Sequence, residues 1–186
     1  MTLAAIIARY GLLAVFAGAA IEGETAVMTG GLLVHQGLLP FLGTAAAATA
    51  GSFCADEAFF LLGRRFRDHP RVRRIAARPA FARALNMVER HPTGFVVAFR
   101  FLYGLRTVSP VAIGTSAISA RRFVALNALA AVLWGLAFTG IGYVFGHGIE
   151  LAFGRLRSAA HIAGAVAVLA AATLALAWAL RRRSSA

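Results

Sequence analysis

The sequence predicts an all-α membrane protein, and three observations carry that prediction. Hydrophobic letters make up 60% of 186 residues and the mean hydropathy is +0.75, more apolar surface than a water-soluble domain can hide. Apolar runs of span length alternate with runs too short, or too broken by glycine and proline, to cross a hydrocarbon core of about 30 Å. All 19 basic residues are arginine, and most flank the apolar runs, as charges that fix topology do. The expected architecture is a single domain over residues 1–186. It has about three to four transmembrane helices plus two opposed re-entrant helical hairpins, an inverted repeat, and a cytoplasmic amphipathic helix.

Leu3 to Ile21 is apolar except for Arg9 and ends at Glu22-Gly23-Glu24, which marks the first span. Thr25 to Leu39 is interrupted by Gly30, Gly31, His35 and Gly37 and closed by Pro40. It is too short to cross and reads as the first re-entrant hairpin. Phe41 to Leu62 is a second span that carries Asp56 and Glu57 and stops at Gly63-Arg64-Arg65. The basic loop over 64–92 holds nine arginines, with Pro70 and Pro79 dividing it. Within it Phe81, Leu85 and Val88 share one helical face, the pattern of a helix lying on lipid headgroups; an irregular loop is the alternative. From Gly94 a second broken segment meets Arg100, Gly104, Arg106, Pro110 and Gly114. Phe123 to Phe145 is a third span, and 156–183 gives a final span with a basic tail. At an offset of 83, Gly31 matches Gly114, Phe60 matches Tyr143, Leu62 matches Phe145 and Gly63 matches Gly146, a weak internal similarity.

Charge orients the chain. With both termini, the Arg64–Arg90 loop and Arg121-Arg122 in the cytoplasm, fifteen arginines lie inside and only Arg155 and Arg157 outside. Arg100 and Arg106 remain within the membrane. A formal charge of +12 on so apolar a chain points to anionic headgroups rather than nucleic acid. The lone Cys54 cannot close an internal disulfide, and no Cys/His cluster has metal-ligand spacing, so neither metal nor cofactor is expected. The N-terminus lacks a basic region followed by a small-residue cleavage site, and it reads as retained. Association into a homo-oligomer is compatible with everything above.

Six ionisable residues fall in or beside the apolar segments: Glu22, Glu24, Asp56, Glu57, Arg100 and Arg106. A charge at the centre of a spanning helix costs about 2.5–3.5 kcal/mol on insertion scales, so such groups need partners, water or a function. Asp56 lies seven residues before Gly63, about 10 Å into the helix, too deep for its short side chain to reach the interface. It faces a cavity or pairs with a hairpin arginine. Arg100 and Arg106 converge only if the chain turns near Gly104. Together they would grip a phosphate, for which the guanidinium fork is suited; salt bridging and snorkelling are the structural alternatives. Glu22 and Glu24 flank a glycine where a span meets a hairpin, so a carboxylate there can exchange protons with outer water or simply mark the interface. His35 reads as a hydrogen-bonded histidine, Asn127 as a bond to a neighbouring helix, and His147 as interfacial.

These blocks resemble the DedA family of bacterial membrane proteins, also called the SNARE-associated or VTT-domain family, over residues 10–146. The resemblance rests on Glu22-Gly23-Glu24-Thr25 leading to Gly30-Gly31 and His35-Gln36-Gly37, on Asp56 followed by Leu61-Leu62-Gly63-Arg64-Arg65-Phe66, on Arg100-Phe101-Leu102-Tyr103-Gly104-Leu105-Arg106 with Pro110 and Gly114, and on Asn127, Trp134 and Gly142-Tyr143. It implies opposed re-entrant hairpins and the movement of lipid across the bacterial inner membrane. The cargo would be undecaprenyl phosphate or a phospholipid, often with dependence on the proton motive force. It also implies proton-coupling roles for Glu24, Asp56 and, less directly, Glu22, and substrate roles for Arg100 and Arg106. One departure is that many members place proline-glycine before the first acid, whereas Ile21-Glu22-Gly23 stands here.

The function expected from the sequence is a flippase- or scramblase-like transporter of a phosphate-bearing lipid, with protons as the second partner. A small-ion or oxyanion transporter uses the same arginines. An integral membrane enzyme acting on lipid phosphates is disfavoured, because no serine-histidine motif, acidic metal cluster or lysine is present.

Overall fold

The computed structural model describes residues 3–70, 74, 79, 86, 90, 92–101, 108–116 and 118–153. Phe81, Leu85 and Val88 of the expected amphipathic helix, Arg106, and the expected final span over 156–183 lie outside the described residues. Every regular element among the described residues is helical: α1 (Leu3–Ile21), α2 (Glu24–His35), α3 (Phe41–Arg65), α4 (Pro92–Ala98) tightening into a 3-10 turn at Phe99–Phe101, α5 (Val108–Thr115) and α6 (Ala120–Phe153). Three of them are long and apolar enough to cross a membrane, over Ala4–Ile21, Phe41–Arg65 and Ala120–Gly148.

Leu13, Leu42, Leu133 and Val144 are exposed on these helices, while Thr44, Ser52, Asp56, Asn127 and Thr139 are buried. Small residues bring the helices together, as they must where lipid removes any hydrophobic drive for association.

The chain divides into two compact units, one formed by residues 1–52 and 132–186, the other by 53–131. In the first, α1 and α2 are antiparallel arms, with Gly18 against Ala26, Val15 against Gly30 and Gly11 against Leu39. The reversal occurs at Glu22-Gly23, where Gly23 takes φ 99°, a conformation few side chains tolerate. α2 itself is one continuous helix. The expected hairpin within Thr25–Leu39 is therefore a single arm, and its Gly30 and Gly31 mark contact rather than a break. α2 ends in a Schellman motif: the Leu38 N–H donates to the Leu33 carbonyl (3.0 Å) and the Gly37 N–H to the Val34 carbonyl (2.9 Å), with Gly37 at φ 72°. Beyond Pro40, α3 returns in the direction of α1, since Gly43 rests on Leu12 and Gly51 on Phe16. Val15, Ala19, Val27, Leu39, Ala48 and Trp134 form the core of this unit.

The second unit packs Phe60, Phe95, Val96, Phe99, Ala112, Ile113 and Phe123 into its core, with the Phe60 and Phe123 rings stacked at 4.2 Å. Pro110 stands in the first turn of α5, where a missing N–H does no harm.

One contact is built twice. In the first unit a Cβ at Gly31 would overlap the Thr139 carbonyl and crowd the Tyr143 N and Gly142 Cα, while Gly142 lies against Met28. In the second, a Cβ at Gly114 would overlap the Phe60 carbonyl and crowd the Arg64 N and Gly63 carbonyl carbon, while Gly63 lies against Val111. The short-helix residues correspond at an offset of 83, as Gly31 and Gly114 already suggested. The long-helix residues correspond at 79, so Gly63 matches Gly142 rather than Gly146, one helical turn from the expected partner.

Candidate functional site

The second unit buries a chain of polar groups between apolar helices. Asp56, in the middle of α3, and Arg100, in the 3-10 turn, are 3% and 2% exposed. The Arg100 Nη2 lies 2.5 Å from the Asp56 Oδ2 and donates to the Asn127 Oδ1 at 2.5 Å. The Asn127 Nδ2 in turn donates to the Glu57 Oε1 at 2.9 Å. Three elements meet here: α3 supplies two successive acids, α6 the amide, and the 3-10 turn the guanidinium, which also lies 5.8 Å from the centre of the Phe99 ring. A buried ion pair is tolerable only when its geometry is good and its other valences are used. The amide does that work, accepting from the cation and donating to the second acid.

Arg64 holds the neighbouring short helix. Its Nε donates to the Gly114 carbonyl at 2.8 Å and its Nη2 to the carbonyls of Ser116 (3.4 Å) and Ile118, at the C-terminal end of α5. The guanidinium also covers the Phe60 ring at 5.0 Å. A cation at carbonyls left open by the last helical turn is favourable both as a hydrogen-bond donor and against the helix dipole. In the sequence Arg64 is a stop signal, a member of the basic loop and part of the block from Leu61 to Phe66. Nothing in its spacing announced that it would cap a helix about 50 residues away.

The remaining sequence candidates fall elsewhere. Glu22 is exposed in the turn between α1 and α2, and Glu24 is half-buried as the first residue of α2, where an acid complements the helix N-terminus. Both belong to the first unit. The sequence therefore named Asp56 and Arg100, which the fold brings together, and it placed Asn127 correctly as a bond between helices. Glu57 is the member it did not assign.

A model of the VTT domain matches residues 21–144, a stretch that contains Glu22, Glu24, the whole polar chain and both glycine contacts. The chain belongs to the DedA, or VTT-domain, family of membrane proteins. Among its relatives are the inner membrane protein YohD of Escherichia coli K12, 38% identical over 78% of this chain and 76% of YohD, and the inner membrane protein YghB of the same strain, 32% identical over 66% and 58%. Protein DedA of that strain is 30% identical over 63% of this chain and 52% of its own length. The chain thus spans three quarters of YohD but little more than half of YghB and DedA. No solved structure matches it. YohD and YghB carry names of inner membrane proteins.

Proposed function

We propose that this VTT-domain protein moves a phosphate-bearing lipid, such as undecaprenyl phosphate or a phospholipid, across the bacterial inner membrane with coupling to protons. The observation that supports this reading best is the buried Asp56–Arg100 pair with Asn127 and Glu57 attached. A guanidinium offers five donors in a fixed fork that suits carboxylate and phosphate alike. The headgroup and Asp56 therefore compete for Arg100. Protonation of Asp56 removes its claim and frees the fork for phosphate, and loss of the proton restores the pair and expels the headgroup. Among the described residues this network sets two carboxyls against one guanidinium, so one proton brings it to neutrality. Arg106 is the second clamp on the headgroup, and the acyl or polyprenyl tail stays in lipid.

Glu24 and Glu22 exchange protons with outer water at the tip of an α1–α2 hairpin. α1 and α3 run in the same direction and touch at Phe16 and Gly51. From there α1 ends five residues later, at Ile21, while α3 runs fourteen further, to Arg65. In this arrangement the α1–α2 arms enter from the outer face and the segment around α4 and α5 from the cytoplasm, as two opposed re-entrant hairpins.

The test is translocation of labelled undecaprenyl phosphate and of labelled phospholipid in proteoliposomes, with and without an imposed pH gradient. The gradient should accelerate wild-type transport, and Glu24→Gln should abolish that acceleration. A wild-type rate indifferent to the gradient would leave a passive scramblase, and uptake of inorganic phosphate without lipid movement would favour an oxyanion transporter.

A further inference from the structure

We infer that His35, His147 and Glu150 form a binding site for a first-row divalent metal ion of the Zn2+ type, joining the end of α2 to the end of α6. Each offers one ligand atom, and the three atoms lie within 4.8 Å of one another. The donor set, two imidazoles and one carboxylate, suits Zn2+ and its neighbours rather than Ca2+ or Mg2+. All three residues belong to one compact unit.

The geometry brings the donor atoms together. The His35 Nε2 and the Glu150 Oε2 are 2.7 Å apart, and two lone-pair acceptors do not approach so closely without a proton or a metal between them. The His35 side chain is only 9% exposed. Its Nδ1 has no hydrogen-bond partner among the described residues, so the Nε2 side and ring contacts must orient it. Those contacts are the Tyr143 ring at 5.1 Å and the His147 ring at 5.6 Å, both edge-on. His147 and Glu150 are three residues apart on α6, hence on one face of the helix, and the Schellman turn fixes the end of α2 that carries His35. Tetrahedral Zn2+ with arms of about 2.0–2.2 Å sets its ligands about 3.3–3.5 Å apart. His35 and Glu150 therefore need to part by less than an ångström, and the exposed His147 to swing in. Three protein ligands leave the fourth position to water, the usual form of an open zinc site. The site lies beside the Gly31–Gly142 contact, so a bound ion would clasp α2 to α6 where their backbones already meet.

The inference stands apart from the transport reading, because binding alone decides it. Purified full-length protein in detergent, stripped with a chelator, is titrated with Zn2+ by calorimetry, and with Co2+ to report coordination from its visible spectrum. The expected result is one saturable Zn2+ per chain, a four- or five-coordinate Co2+ spectrum, and a raised melting temperature with Zn2+. His147→Ala and Glu150→Gln should each weaken binding by at least about tenfold, since loss of an outer-shell partner alone costs that much; His69→Ala should leave it unchanged. His147 is exposed, so its removal does not threaten the fold, and the wild-type Co2+ spectrum serves as an independent readout. Absence of saturable binding, or binding that His147→Ala and Glu150→Gln leave intact, overturns the site.

Discussion

Arg100 owes its position to two partners of different kinds, and that difference makes separate experiments possible. Removing one member of a buried ion pair strands the other without water, which costs about 3–5 kcal/mol, whereas replacing both by apolar groups of similar size is often neutral. Asp56→Leu and Arg100→Met should therefore each lower the melting temperature of the purified protein, and the double variant should recover most of the loss. If the pair only holds helices together, the double variant will also transport. The proposed role requires instead that transport stay abolished while stability returns. Arg100→Lys keeps the charge but not the fork, so it should fold and still transport poorly; wild-type rates would remove Arg100 from headgroup binding. The sequence made Asp56 and Arg100 legible because charge inside an apolar run is expensive. It could not show the Asn127–Glu57 link, which spans 70 residues, nor the meeting of His35 with Glu150 across 115. The apolar run ended at Phe145, but α6 continues through Gly146 and Gly148 to Phe153, and that extra length carries His147 and Glu150 to their place beside His35.

Glycines explain how short helices are held against long ones. Gly30 and Gly31 lowered the expected helix propensity of α2, and a sequence reading took them for a break. The missing side chain of Gly31 instead lets α2 approach α6 to backbone contact, while Gly30 makes room for the side chains of Val15 and Thr44, and this close packing offsets the propensity lost. The same exchange operates between Gly114 on α5 and Gly63 on α3. Because the atoms in the way are backbone, a Cβ cannot be accommodated by a rotamer change. Gly31→Ala and Gly114→Ala should each cost about 1–3 kcal/mol, towards the upper end of overpacking effects, read as a fall in melting temperature. Gly94→Ala is the control: nothing lies within 4 Å of a Cβ there, so stability should hold or rise slightly. Arg64 predicts a different outcome. Arg64→Met keeps the contact with Phe60 but opens the carbonyls of Gly114, Ser116 and Ile118, so it should increase hydrogen exchange at the end of α5 and leave the α2–α6 contact unchanged. Uniform loss of protection would instead make Arg64 a general support of the fold.

Topology depends on helix direction as well as on charge. Charge counting alone placed the N-terminus in the cytoplasm beside the Arg64–Arg90 loop, but this treats Leu3–Ile21 as a complete crossing that delivers the chain to the opposite face. The packing of Gly43 on Leu12 and Gly51 on Phe16 makes α1 parallel to the part of α3 within its own unit, and we propose from this direction that the N-terminus lies outside. Moving the N-terminus outside transfers only Arg9, leaving fourteen cytoplasmic arginines against Arg9, Arg155 and Arg157, and the positive-inside bias survives almost intact. The arginine rule is insensitive to this choice because α1 carries a single charge, so labelling decides it. In intact cells, with Cys54 replaced by serine, a cysteine introduced at Thr2 should react with an impermeant thiol reagent. Cysteines at Asp68 and Ser185 should react only after the membrane is opened. Protection of Thr2 together with Asp68 would require α1 to cross fully and would remove Glu22 and Glu24 from the interior of the bilayer. Labelling of Thr2 alone keeps their turn at the tip of a hairpin, within reach of outer water and short of the cytoplasmic face, where a carboxylate can take up a proton on one side of the membrane only.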